Sequence, residues 1–296
     1  MNNRRRTSFI IVGILLWMLI GGLYLVTFRK PTETAGLDKI LASGEVTTIT
    51  RSNPWCYYRY GDQPMGFEYE LAKAFADYLG VSLKVRIAQR WDNMIPDLLA
   101  GKGDFIAAGM TITPERNARA AFSAGYLPAE PYVITRRGGR RIKSLDDLAG
   151  ETIHITEGTS YYERLKVLQS SGIALKIVVH KSLETTELIR MVADKKIDIT
   201  IADNLVALLS LRYYPWVDLA APIDGKELLG WAVNPKAVKL LNRINEFFSI
   251  IKKNGEFDRI YNRYFLVLMI LISSTCVRFI GESKESFPTF VRLSRK

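Results

Sequence analysis

Three short stretches carry polar groups that could hold a small charged molecule. AAGMTITPER (107–116) combines Gly109, Thr111 and Arg116. A carboxylate needs fixed donors, and a guanidinium grips it with two parallel N–H groups, which an ammonium does less well. Thr111 can donate to the same carboxylate or accept from an ammonium. Gly109 permits close approach to the backbone and leaves its carbonyl open to accept. TEGTSYYERL (156–165) sets Gly158, Thr159 and Ser160 at a helix start, where backbone N–H groups suit an anion. ITIADN (199–204) ends an apolar strand on Asp203. Each stretch also has a plainer reading. Arg116 could be a surface arginine beside Glu115, and Thr111 a turn residue. Thr159, Ser160 or Asp203 could simply cap the helix that follows it.

The elements around these stretches repeat one pattern. GFEYELAKAFADYLG (66–80) sets Phe67, Leu71, Ala74, Phe75 and Leu79 on one helical face and stops at Gly80. VTTIT, VSLKVRIA and DFIAAG read as strands, with helices at LDKILASGE and MIPDLLAGKG. A β-α-β-α-β order implies a parallel sheet with helices on its faces. EPYVITRRGGRR leaves this unit as a strand and a basic turn. A second α/β unit then runs through ETIHIT, LKIVVH and IDITIAD, with helices between. ELLGWAVNP (227–235) reads as one alternating strand, followed by helices over 237–255 and 256–265. Two α/β units joined by extended crossovers describe two lobes with a cleft, where small ligands bind.

GFEYELAKAFADYLG, LLAGKGDFIAAGMTITPER, SLDDLAGETIHITEGTS and KKIDITIAD, in this order, resemble the family 3 periplasmic solute-binding proteins. The resemblance covers about residues 37–265. It implies a type II periplasmic binding protein-like fold, α/β with two doubly wound lobes, a hinge and an interlobe cleft. Lobe 1 is expected over about 37–132 and 226–265, and lobe 2 over about 133–225. The resemblance also implies a polar amino-acid ligand, with Asp203 on its ammonium and Arg116 on its carboxylate. Gly109, Thr111, Thr159 and Ser160 complete the expected site. Trp55, Tyr57 and Tyr58 in NPWCYYRYGD are open candidates for an aromatic wall, with core packing an equal alternative; Tyr57 is carried as the site candidate. Tyr69 replaces the usual aliphatic of the first motif.

Charge excludes one class of function. The net charge of +11 is concentrated at the two ends, whereas a nucleic-acid protein concentrates it on the folded domain. NNRRRTSFIIVGILLWMLIGGLYLVTFRK places three arginines before an apolar run from Phe9 to Val26. That run is long enough to cross a bilayer, and the arginines favour an exterior position for the chain beyond Val26. The expectation is a signal anchor over 1–30, a linker over 31–36 and a domain in the periplasm, tethered to the membrane. The two cysteines, Cys56 and Cys276, imply no disulfide in the main domain.

An N-terminal membrane segment joined to FEYELAKAFADYLGV and TIAD is similar to the binding module of the membrane-bound lytic murein transglycosylase F family. That resemblance allows a muropeptide ligand and outer-membrane association. It also implies a catalytic domain after YNRYF. Residues 266–296 instead read LVLMILISSTCVRFIGESKESFPTFVRLSRK. The apolar run there is short for a span. Met269 is encoded by ATG and Ile270 begins with AT, so a shifted frame reads GAT, aspartate, at that junction. The same offset permits an acidic VDDFDFVDLR. The tail is therefore expected to be frameshifted or disordered. Its Glu282 and Glu285 lack a helical domain to form a glycan groove around an acid/base. His154 and His180 show no nucleophile or metal-ligand spacing, and no phosphate loop occurs. The expectation is a non-catalytic module without metal or cofactor. A transporter permease is the less favoured partner.

Overall fold

The computed structural model describes residues 36–223 and 225–265. The expectations for the anchor over 1–30, for all but the last residue of the linker over 31–36 and for the segment after 265 lie outside these residues. No helix among the described residues is long and apolar enough to cross a membrane.

The first lobe opens with helix α1 (Leu37–Ser43) and strand β1 (Glu45–Thr50). A hairpin comes next, β2 (Tyr58–Tyr60) with β3 (Gln63–Met65), which periodicity alone did not suggest. Helix α2 (Phe67–Leu79) buries Phe67, Leu71, Ala72, Phe75 and Ala76 and ends at Gly80 in the left-handed conformation. The chain continues through β4 (Ser82–Ile87), α3 (Met94–Leu99), β5 (Phe105–Ile106), α4 (Pro114–Asn117), β6 (Ala121–Phe122) and β7 (Leu127–Ala129).

The second lobe holds β8 (Pro131–Arg136), β9 (Thr152–Thr156), α5 (Ser160–Ser170), β10 (Lys176–His180), α6 (Thr185–Ala193), β11 (Ile199–Asp203), α7 (Asn204–Leu211) and β12 (Val217–Pro222). The chain then returns through β13 (Glu227–Leu229), β14 (Ala232–Val233) and α8 (Val238–Lys253), and residues 256–265 are helical.

Each lobe has one five-stranded sheet. The orders are β4-β1-β5-β14-β6 and β10-β9-β11-β8-β12. Parallel pairs β1/β4, β1/β5, β9/β10 and β9/β11 form where helices cross over. The strands next to the crossovers, β8 and β14, run antiparallel to their neighbours. Neighbouring residues on β8 point to opposite faces: Val133 joins one apolar cluster with Tyr161 and Leu165, and Ile134 joins another with Leu188 and Val192. Both faces of that sheet are thus covered, as strands rich in isoleucine and valine require.

The segment 227–235 is two strands rather than the single one expected. β13 pairs with β7 in a ribbon between the lobes, whereas β14 joins the first sheet. The break falls at Gly230, where a Cβ would stand 2.8 Å from Ile112 Cδ1. The chain turns there so that Trp231 can enter the core, fully buried against Phe75, Phe105 and Phe247.

Candidate functional site

In both lobes the parallel strands end toward the same cleft, and the loops after them carry its polar groups. After β5 the chain passes through Gly109, whose φ of +62° suits a residue without Cβ. A Cβ there would lie 2.3 Å from Trp55 Nε1. The amide of Gly109 donates to Glu68 Oε1 at 2.7 Å. Glu68, fully buried on the inner face of α2, also accepts from Tyr126 Oη and, at 2.8 Å, from Trp231 Nε1. Burial raises its carboxyl, and the bonds from Tyr126, Trp231 and Gly109 pull it back. This carboxylate is the anchor of the Gly109 loop.

Thr111 forms an isolated antiparallel bridge with Leu229 of the interlobe ribbon. Arg116 sits on the single-turn α4, whose Thr113 cap accepts from the Arg116 amide at 3.3 Å. Its Nη1 donates to Thr111 O at 2.9 Å and its Nη2 to Gly158 O, in the other lobe, at 3.0 Å. The guanidinium carbon lies 5.8 Å from the Trp91 ring centroid. Burial lowers the Arg116 pKa, and Glu227, Tyr161 and Asp203 oppose that shift.

In the second lobe Thr159 is the N-cap of α5, but its hydroxyl donates to Thr156 O at 2.8 Å and does not cap. Ser160 Oγ bonds Glu227 Oε2 at 3.2 Å. Asp203 precedes α7 without a side-chain capping bond. Its Oδ1 is buried and has no hydrogen-bond partner. Burial moves its carboxyl from 3.8 up to about 7; Tyr161 pulls it down, Glu227 adds to the rise, and Arg116 and Arg164 oppose it. A buried acceptor without a donor costs free energy, and an incoming ammonium would remove that cost.

Gly109, Thr111, Arg116, Thr159, Ser160 and Asp203 line one cavity. Tyr57 does not: its ring meets Tyr69 edge-on at 5.4 Å, on the outer side of α2. Tyr58 is also off the lining, while Trp55 and Trp91 are on it. Trp91 stands in a 3-10 turn between β4 and α3, and a lone tryptophan in a polar loop was its only sequence signal. Glu184, just before α6, also lines the cavity and had no signal at all. Glu68 could have been found as the one acid on the apolar face of α2.

Polar contacts close the lobes on each other. Arg51 of lobe 1 is ion-paired with Glu184 of lobe 2, and Asn53 Nδ2 donates to Glu184 Oε2 at 3.2 Å. Arg90 Nη2 reaches Glu157 Oε2 at 2.5 Å. Cys56 is free and buried. Among the described residues no group of three His, Cys, Asp or Glu side chains could hold a metal ion.

The profile of bacterial extracellular solute-binding proteins, family 3, matches residues 45–267. A membrane-bound lytic murein transglycosylase F of Desulfosudis oleivorans is 43% identical over 263 residues, covering 88% of this chain and 57% of that protein. This chain thus spans little more than half the length of that relative. An ancestral arginine-binding protein bound to arginine superposes with a TM-score of 0.68 at 30% identity, covering 75% of this chain and 98% of that one. An ancestral arginine-binding protein bound to glutamine gives a TM-score of 0.67 at 30% identity, with 75% and 98% covered.

Proposed function

This chain belongs to family 3 of the bacterial extracellular solute-binding proteins, and from that premise we propose that it binds a free amino acid, or the amino-acid end of a cell-wall peptide, without catalysis. One observation carries the reading: Arg116 and Asp203 bring opposite charges to one buried cavity, and Asp203 Oδ1 has no partner there. Arg116 takes the ligand carboxylate, with Thr111 and the backbone N–H groups at the start of α5. Asp203 and the Gly109 carbonyl take the ammonium. Trp55 and Trp91 wall the apolar part. The ligand would replace contacts the protein now makes with itself, among them Arg116 to Gly158 O. Arginine and glutamine, the ligands named for the ancestral binders, are the first compounds to test.

The apolar run from Phe9 to Val26 is proposed to tether the domain to the membrane with the cleft outside the cytoplasm. Titration calorimetry of the purified chain and of Arg116→Ala against free amino acids and murein tetrapeptide tests the reading. Binding to the wild type with loss in the variant is expected; equal binding by both would overturn the site.

A second reading rests on the Desulfosudis oleivorans relative. In it, this domain is the ligand-responsive part of a peptidoglycan-cleaving protein. Sequencing the locus beyond the codon for Phe265 separates the two: a reading frame there for a glycan-cleaving domain supports the second reading, and its lack supports binding alone.

A further inference from the structure

The amino-acid end of the cavity leaves the ligand side chain unspecified, and a second charged pair bears on it. The charged side chains that line the cavity are Arg116, Glu184 and Asp203. A zwitterion matches Arg116 and Asp203 and leaves Glu184 over. A free buried carboxylate at that position would recruit a ligand with a cationic side chain. Glu184 is not free. It is ion-paired with Arg51 and accepts from Asn53; the Arg51 side chain is buried and that of Glu184 largely so, at 7% and 14% exposure. Arg51 does not line the cavity. It stands behind Glu184, held by a bond from Nη1 to Ala88 O at 2.5 Å. The carboxylate is thereby neutralised from the protein side, before any ligand arrives.

We propose that Arg51 is a specificity-determining residue: by occupying Glu184 it makes the site select amino acids with uncharged side chains and reject arginine and lysine. This rests on the amino-acid reading of the cavity and extends it to the side chain. The physical reason is exclusion. A ligand guanidinium could reach Glu184 only by displacing Arg51, which would leave one buried cation without a counter-charge or two competing for one carboxylate. An amide or aliphatic side chain meets Asn53, Trp55 and Thr186 on the same lining without that cost. The pair also joins the residue that follows β1 in one lobe to the residue that precedes α6 in the other, so the selection acts on the closed form that a bound ligand must share.

The experiment is calorimetry of the full chain with L-glutamine, L-arginine and L-lysine, probes that share the amino-acid end and differ in side-chain charge. The wild type is expected to bind glutamine more tightly than either cation by at least about tenfold. Arg51→Met releases Glu184 and is expected to gain arginine affinity by about tenfold or more, and Arg51→Lys keeps the cation and keeps the rejection. Adding Glu184→Gln to Arg51→Met removes the gain. Circular dichroism and the thermal midpoint report whether each variant is folded. Wild-type binding of arginine as tight as that of glutamine overturns the proposal even if Arg51→Met does not fold. A folded Arg51→Met with no gain on arginine overturns it too. If the wild type binds none of the three probes nor any other free amino acid, the amino-acid reading fails, and this inference with it.

Discussion

Arg116 in the first lobe donates from Nη2 to the carbonyl of Gly158 in the second, 3.0 Å away, while its Nη1 holds Thr111 O at 2.9 Å. One planar group therefore spans the cleft with two fixed N–H directions. Replacement by lysine keeps the charge and loses the fork. Arg116→Lys should weaken amino-acid binding by about 1.5–3 kcal/mol, the usual worth of a hydrogen bond to a charged group. It should also open the unliganded lobes. Calorimetry gives the first quantity and the small-angle scattering radius the second. Unchanged affinity in a folded variant would show that the guanidinium is not the carboxylate partner.

Gly109 is pinned between Trp55 and Glu68, and a Cβ there meets Trp55 Nε1 at 2.3 Å in a left-handed backbone. Gly109→Ala should cost about 1–2 kcal/mol from conformation alone. The clash adds to that, because neither the buried tryptophan nor the backbone can retreat cheaply. A lower urea midpoint with an unchanged slope is expected. Ligand affinity should fall as well, since the Gly109 carbonyl moves with the loop.

Glu68 gathers three donors, from Gly109, Tyr126 and Trp231. Glu68→Gln offers one oxygen where there were two and adds N–H groups facing other N–H groups. Each buried donor left without an acceptor costs about 1–3 kcal/mol, so a loss of about 2–4 kcal/mol is expected in chemical denaturation. A neutral outcome would mean that the carboxyl already carries a proton in the native state.

Distance along the chain decides which of these features could be read from the sequence. Gly109, Thr111 and Arg116 lie within one turn-forming stretch, and Thr159, Ser160 and Asp203 each sit where a strand gives way to a helix. Periodicity locates such junctions, and the resemblance to the family 3 solute-binding proteins is what groups these six residues into one site. The two-lobed α/β architecture comes from the same alternation. Glu184 meets Arg51 across 133 positions of sequence, and no local pattern reports that contact. Tyr57 and Trp55 are two positions apart in an irregular segment, where the side-chain direction is set by the β2–β3 hairpin and the start of α2. The break of 227–235 into two strands depends on Ile112 and Phe122 crowding Gly230, which is also a long-range fact.

Asp203 makes the site sensitive to pH. Its carboxyl rises from 3.8 to about 7, chiefly through burial. Between those values the native state holds a proton that the unfolded chain has released. The stability this group contributes is therefore complete below 3.8 and is lost as pH rises through about 7. A ligand ammonium works in the opposite direction, because it favours the ionised carboxylate. Binding should therefore expel a proton from Asp203 in mildly acidic solution, and apparent affinity should climb between about pH 5 and 8 before levelling. Calorimetry near pH 6 in two buffers of different ionisation enthalpy measures that release, which should approach one proton per ligand. Asp203→Asn cannot release it, and its affinity should be weak and flat with pH over the same range. The variant should also gain thermal stability relative to wild type at about pH 8 more than at about pH 5, since the amide escapes the cost of a buried, ionised carboxylate. Proton uptake on binding, or a wild-type affinity that falls as pH rises, would remove Asp203 from the ammonium site.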